Sequence, residues 1–294
     1  MILDLLTFDP SLASESPLAY AEEIARLVIH HWDSGADLVL LPEFTWMGLE
    51  PLIERAAGQA TVYPAISALF WDTLLPQIQP RLSREGKAVV LGTVPYVDPT
   101  HQRVYNRAPI LKDGHLSHQD KLHLTPWEKD FSQGSTLYVW SHLGFRITVI
   151  ICLDIEIPEI SAQLRGQKVD LILCPSATET LLGVERVDRC ASARAVELGC
   201  HVAVTHLTGE AKSDLIDVNV GRLAHYTPSQ ASFRHGPRTL ETEIWSSGVH
   251  SQRLTLDKKS LEHMRRMFIE TNPSHIGKDS AGQFTLQQME PSPQ

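Results

Sequence analysis

Five short apolar runs punctuate the chain: LVLLP (38–42), AVVLGT (88–93), ITVIIC (147–152), DLILCP (170–175) and HVAVTH (201–206). Each is rich in Val, Ile or Leu and lacks polar alternation, the pattern of a strand covered on both faces. Between several of them the period changes. Over 17–34, Leu18, Ala21, Ile24, Ala25 and Val28 share one helical face, with Ser16 placed to cap the start, Pro17 at the first helical position and Gly35 closing the end. The stretch 65–85 also reads as helix, with Pro76 expected to kink or split it. A third helix is expected over 184–198, ended by Gly199.

The middle of the chain has another rhythm. VYNRAPIL and LSHQ flank KDGH, whose Asp113-Gly114 pair signals a tight hairpin, and TLYVW and FRITVIIC flank SHLG as a second. Helix–strand alternation interrupted by hairpins implies mixed sheets with helices outside them, not a purely parallel doubly wound sheet. The segment 225–243 reads as loop, and 274–294 as a polar tail rich in Pro, Gln and Ser. No linker divides the chain, so one domain is expected over 1–273.

Composition narrows the function classes. The 294 residues are 43% hydrophobic and 21% charged, enough for a large core. A formal charge of -9 gives no basic footprint for nucleic acid or an anionic membrane surface. The first residues, MILDLLTFDPSLAS, make a poor secretion signal, and no apolar stretch approaches the roughly 18 residues of a membrane span. The four cysteines, Cys152, Cys174, Cys190 and Cys200, include no C-x-x-C pair, which argues against both a disulfide framework and structural zinc. A reduced, soluble, cytoplasmic protein without a metal is expected.

Charge meets a strand end at three places. Glu43 directly follows LVLLP; it is either a cap or surface partner, or a partly desolvated carboxylate able to exchange protons near neutrality. DKLHLTPWEKDF (120–131) carries Lys121, His123, Glu128 and Lys129 interleaved with Leu122, Leu124, Trp127 and Phe131. Such a charged segment is commonly a solvated loop, but its apolar positions would draw some charges inward, where a lysine supplies positive field to a dry site. Cys152 ends ITVIIC just before Pro158-Glu159 opens a further helix. It is either an inert core thiol or, on a sharp strand-to-helix turn, a sulfur presented to a cleft with backbone N–H groups nearby to stabilise thiolate and oxyanion. The value of the three signals lies in their occurring together.

GADLVLLPEF, YNRAPILKDG with DKLHLTPWE, and ICLDIEIPE resemble, in order and spacing, the glutamate, lysine and cysteine motifs of the nitrilase or carbon–nitrogen hydrolase superfamily. LILCPS, the RAVELG helix around Arg194 and Glu197, VNVGRLAHY and LTLD extend the resemblance along nearly the whole chain. The likeness is greatest to a branch whose relatives sometimes carry an N-terminal acetyltransferase domain, for which this chain is expected to have no room. The resemblance implies a four-layer αββα sandwich with two mixed β-sheets, usually dimerised or in a higher homo-oligomer, and a cofactor-free Glu43–Lys121–Cys152 triad. It further implies Glu128 as an additional glutamate holding Lys121 and substrate, with Asn106 and Asp154 in structural roles. Glu156 stands where many relatives have arginine.

The function so implied is hydrolysis of a small amide through a thioester on Cys152, with Glu43 moving the proton. Lys121 and the Leu153 N–H would hold the oxyanion. Nitrile or N-carbamoyl hydrolysis by the same triad is an alternative, as are a histidine-assisted cysteine hydrolase using His123, His201 or His206 and a catalytically silent scaffold. Trp46, Trp127 and Thr178 are the expected substrate-binding residues, and Glu156 and Glu179 either favour a cationic group or are solvated.

Overall fold

The computed structural model describes residues 1–11, 15–54, 61–213 and 215–267; the tail expected over 274–294 lies outside them. The first half of the chain runs β1 (Ile2–Leu6), α1 (Pro17–Asp33), β2 (Leu38–Leu41), α2 (Tyr63–Ala68), α3 (Leu75–Ile78), β3 (Ala88–Leu91), β4 (Val94–Val97), β5 (Val104–Lys112) and β6 (His115–Asp120). The second half runs β7 (Val139–His142), β8 (Phe145–Val149), α4 (Pro158–Leu164), β9 (Leu171–Ser176), α5 (Leu181–Leu198), β10 (His201–His206), β11 (Gly209–Glu210), β12 (Val218–Asn219), β13 (Leu223–Tyr226), β14 (Thr239–Glu241), β15 (Ser251–Thr255) and α6 (Lys258–Arg266).

Two mixed sheets result. One runs β15-β1-β2-β3-β5-β4, with β6 also paired to β5; the other runs β14-β13-β10-β9-β8-β7. In β2, Leu38 and Leu40 enter the core shared by the two sheets, while Val39 and Leu41 enter a second core with Tyr20, Ile24 and Val28 of α1. Consecutive strand residues point to opposite faces, so an unbroken apolar run requires cover on both sides. Val187, Ala191 and Ala195 of α5 cover the second sheet, which completes the αββα layering.

Both hairpins form as read. Asp113 and Gly114 have φ of 51° and 82°, and Leu143 and Gly144 of 45° and 79°, the left-handed pair that a two-residue hairpin turn requires. Other boundaries differ. The helix expected over 65–85 becomes α2 and α3, joined by a wider π-helical stretch at Leu69–Leu74; the extra width precedes Pro76, whose ring crowds the carbonyl four residues earlier. Helix α5 starts at Leu181 with Thr180 as its cap, because the exposed Leu181 and Leu182 conceal the start from a core-face pattern. The segment 225–243, read as loop, contributes the end of β13 and all of β14, which pair antiparallel. Strand β8 stops at Val149, leaving Cys152 beyond the strand.

Candidate active site

Glu43 sits where β2 gives way to a tight turn. Phe44 has φ of 58°, and its N–H donates to Thr93 Oγ1 at 2.8 Å, while Thr45 Oγ1 donates to Pro42 O at 2.7 Å. The turn aims Glu43 inward, and the side chain is 1% exposed.

Lys121 follows β6, its N–H bonded to Asn106 O on β5 at 2.9 Å and its carbonyl accepting from Gly134 N at 2.8 Å. The loop beyond is clasped by Asp154, which accepts from Leu122 N at 2.9 Å and His123 N at 2.7 Å. Burial raises the Asp154 pKa despite these donors. Cys152 opens a one-turn 3-10 helix, Cys152–Glu156, with φ of 47°. A non-glycine residue in the left-handed region stores strain and is held only by its surroundings. Arg194 of α5 supplies part of the hold, donating to Ile155 O at 3.1 Å.

Lys121 Nζ lies 2.8 Å from Glu43 Oε1 and 2.7 Å from Glu128 Oε2, with all three side chains at most 2% exposed. Asn106 Nδ2 donates to both glutamates, at 2.9 and 3.1 Å. Ala177, just past β9, links the remaining pair: its N–H donates to Glu43 Oε2 at 3.1 Å, and its carbonyl faces Cys152 Sγ at 3.6 Å. Glu43, Lys121, Glu128 and Cys152, far apart in sequence, thus line one cavity of about 280 Å³.

The electrostatics assign different protonation states to these groups. Burial pushes the Glu43 carboxyl up to about 6; Lys121 pulls it down and the Glu128 charge adds to the rise. Burial alone would lower Lys121, but the charges of Glu43 and Glu128 outweigh it and hold the amine above the usual lysine value. Burial and the Glu43 charge together raise the Cys152 thiol well above its ordinary value. Both effects favour the neutral thiol over the thiolate, in line with the expected transfer of its proton to Glu43.

Leu153, Trp127 and Thr178 also line the cavity, Trp127 with 72% of its surface exposed. Thr178 Oγ1 donates to Val220 O at 2.9 Å, tying the wall to the segment after β12. Trp46 is a correction. It is fully buried in the outer core against Phe70, with Nε1 donating to Leu91 O, because the turn after Glu43 rotates it away from the cavity. Glu156 lies at the cavity edge 3.0 Å from Arg186, and Glu179 lines it while exposed.

None of the candidate histidines lines this cavity. His123 Nδ1 faces Asp154, His201 stacks on His225, and His206 is fully buried beside Thr178. Among the described residues, no group of three or more His, Cys, Asp or Glu has a metal-holding arrangement. Sequence reading did not single out Arg186, Leu215 or Ile216 and reached Asn219 only within VNVGRLAHY; all four are cavity residues.

Residues 13–248 match the family model described as carbon-nitrogen hydrolase. A relative described as "Probable hydrolase YhcX" from Bacillus subtilis is 30% identical over 225 residues, which span 73% of this chain and 42% of that protein. The chain therefore covers less than half the length of that relative. A "Deaminated glutathione amidase" from Synechocystis sp. is 27% identical over 69% of this chain and 75% of its own. Among solved structures, an amidase from Nesterenkonia sp. AN1 in complex with butyramide superposes with a TM-score of 0.68 at 18% identity, covering 90% of this chain and 93% of that one. Saccharomyces cerevisiae Nit3, a member of the nitrilase superfamily, gives a TM-score of 0.65 at 20% identity over 90% and 93%. Matched along 13–248 and folded as two helix-covered mixed sheets, the chain belongs to the carbon–nitrogen hydrolase family.

Proposed function

We propose that this protein hydrolyses a small carboxamide through a thioester on Cys152. The carrying observation is the contact of Glu43 with Lys121 on one oxygen and with the Ala177 N–H beside the thiol on the other. A neutral thiol needs a base within reach, and a carboxyl with a pKa of about 6 is mostly ionised at neutral pH and can still return a proton.

As Sγ bonds to the substrate carbonyl carbon, Glu43 takes the thiol proton and the carbonyl oxygen becomes an oxyanion. Lys121 and the Leu153 N–H stabilise that charge, and Glu128 with Asn106 orients the Lys121 ammonium. Collapse breaks the C–N bond while Glu43 gives its proton to the departing nitrogen, releasing ammonia or amine. Water then attacks the thioester, Glu43 accepts its proton, and C–S cleavage frees the acid as Glu43 passes that proton to the leaving sulfur, restoring the thiol.

Trp127 and Thr178 contact the substrate from the cavity walls. The four free cysteines support a reducing, cytoplasmic setting, and the charge of -9 supports the absence of nucleic-acid or membrane partners. The exposed Leu181 and Leu182 support a homodimer or larger homo-oligomer that covers them. Intact-mass measurement after incubation with amides, nitriles and N-carbamoyl compounds tests the chemistry. An acyl adduct on Cys152 from amides, absent in Cys152→Ala, is expected; adducts from nitriles or carbamoyl compounds alone would reassign the substrate class.

A further inference from the structure

His206 ends β10 behind the cavity wall, fully buried and unused by the reaction above. Its Nδ1 lies 3.2 Å from Thr178 Oγ1, and its Nε2 lies 3.6 Å from Asp188 Oδ1 on α5. The Thr178 hydroxyl has a single hydrogen and donates it to Val220 O at 2.9 Å. Towards His206 the hydroxyl is therefore an acceptor, so Nδ1 carries a hydrogen. On the far side of the ring, Nε2 and Asp188 Oδ1 have no hydrogen-bond partner among the described residues, and neither atom is open to solvent. A bare nitrogen there would set its lone pair against a carboxylate and leave two buried acceptors unpaired, which is costly. One hydrogen on Nε2 satisfies both.

The neighbouring charges agree. Asp188 Oδ2 accepts from Arg222 Nε at 2.7 Å, and Arg222 Nη1 lies 2.8 Å from Glu241 Oε2. With a neutral His206 this group sets two carboxylates against one guanidinium; a protonated ring balances it, and buried charges persist where they are paired. Gly221 packs so close to His206 Cβ that a side chain there would clash, which leaves the ring little room to swing away. Three elements meet at the ring: β10 itself, α5 through Asp188, and the segment after β9 through Thr178. Thr178 follows Ala177, whose N–H donates to Glu43 and whose carbonyl faces the Cys152 thiol. The ring thus clamps α5 to the backbone against which base and nucleophile both rest.

We propose that His206 is a positioning residue: protonated on both nitrogens and paired with Asp188, it fixes the Ala177–Thr178 segment that sets Glu43 against Cys152. This rests on the amide-hydrolase reading above and adds a residue that touches neither substrate nor nucleophile.

Imidazole nitrogen NMR of histidine-labelled protein at pH 7 reads the ring without any substrate. The wild type is expected to show both His206 nitrogens protonated, and a bare nitrogen at either position overturns the proposal. Asp188→Asn is expected to remove the Nε2 proton, because its amide can donate to Nε2 while its oxygen still accepts from Arg222. In amide turnover, His206→Phe and Asp188→Leu are each expected to lower kcat roughly tenfold or more with KM within about threefold, since a displaced catalytic group slows chemistry more than binding. Asp188→Asn should recover most of the loss seen in Asp188→Leu, and the two damaging substitutions combined should cost no more than either alone. Should these variants fail to fold, Thr178→Val, which keeps the volume and removes the hydroxyl linking ring to segment, is expected to show the same loss in kcat. Folded variants with wild-type kcat overturn the proposal, confine His206 to the fold and leave the hydrolase reading standing. A wild type that hydrolyses no amide and forms no adduct on Cys152 removes the hydrolase reading and this role together.

Discussion

Lys121 donates to Glu43 across 2.8 Å with each side chain only 1% exposed, so an ammonium and a carboxylate share a site almost without water. Lys121→Met would leave Glu43 and Glu128 facing each other with the cation gone. Breaking a buried pair from one side costs about 3–5 kcal/mol, and loss of an oxyanion donor costs on the order of 100-fold in kcat. Denaturant unfolding and amide turnover should both show the loss. Lys121→Arg should not restore turnover, because a planar guanidinium cannot occupy the point position between the two carboxylates. An active, stable Met variant would remove Lys121 from the mechanism.

The Glu43 pKa of about 6 sets the acid limb of the rate profile. Only the carboxylate can take the thiol proton, so kcat/KM should fall about tenfold per pH unit below that value. Stability runs the other way for this group. Its folded pKa lies above the ordinary 4.5, so the native state holds the proton more tightly, and its contribution declines as pH rises from about 4.5 to about 6. For Lys121 the raised folded pKa means a contribution fully present below its ordinary value of 10.5, lost only as pH climbs through the folded pKa. Between pH 4.5 and 6.5, wild type should lose about 1.5 kcal/mol relative to Glu43→Gln in paired unfolding curves. A difference that grows with pH instead would show that Glu43 is not desolvated.

The five apolar runs and both hairpins were legible because strand burial and two-residue turns leave local marks: Leu38–Leu41 is apolar throughout, and Asp113-Gly114 can adopt positive φ cheaply. Glu43, Lys121, Glu128 and Cys152 were legible through motifs, and the structure brings them into one cavity. The upward shift of the Cys152 thiol was not, since it depends on burial and on a Glu43 charge more than a hundred residues away. Trp46 misled because three residues of sequence separation from Glu43 say nothing about the turn between them. Asn219 stood inside the VNVGRLAHY segment, but only the folded neighbours reveal that its amide nitrogen is anchored by Gly209 O and Asp217 O.

Asp154 holds the lysine loop onto the nucleophile turn by accepting from Leu122 N and His123 N. Asp154→Ala would orphan two backbone donors at a cost of about 1–3 kcal/mol each. It should also let Lys121 drift from Glu43, so kcat should fall more than KM rises. Steady-state kinetics at 25 °C, alongside a denaturation midpoint, separate the two effects. A variant that loses stability but keeps kcat would confine Asp154 to the fold.

Gly92 and Gly86 offer a controlled comparison of strain with steric clash. Both have positive φ, 69° and 72°, so alanine at either carries the left-handed penalty of about 1–2 kcal/mol. At Gly86 a Cβ would meet nothing within 4 Å, so Gly86→Ala should lose that much stability and keep full turnover. At Gly92 the Cβ would come within 2.2 Å of Pro42 O and 2.4 Å of Thr45 Oγ1, both in the turn that carries Glu43. That turn must then move, and a shift of about 1 Å in a catalytic group can cost on the order of 100-fold. Gly92→Ala is therefore expected to be less stable than Gly86→Ala and to lose at least tenfold in kcat, with the acid limb of its pH profile displaced as Glu43 leaves its buried position. Equal kinetics in the two variants would mean that Glu43 does not depend on the close approach of Gly92 to Pro42.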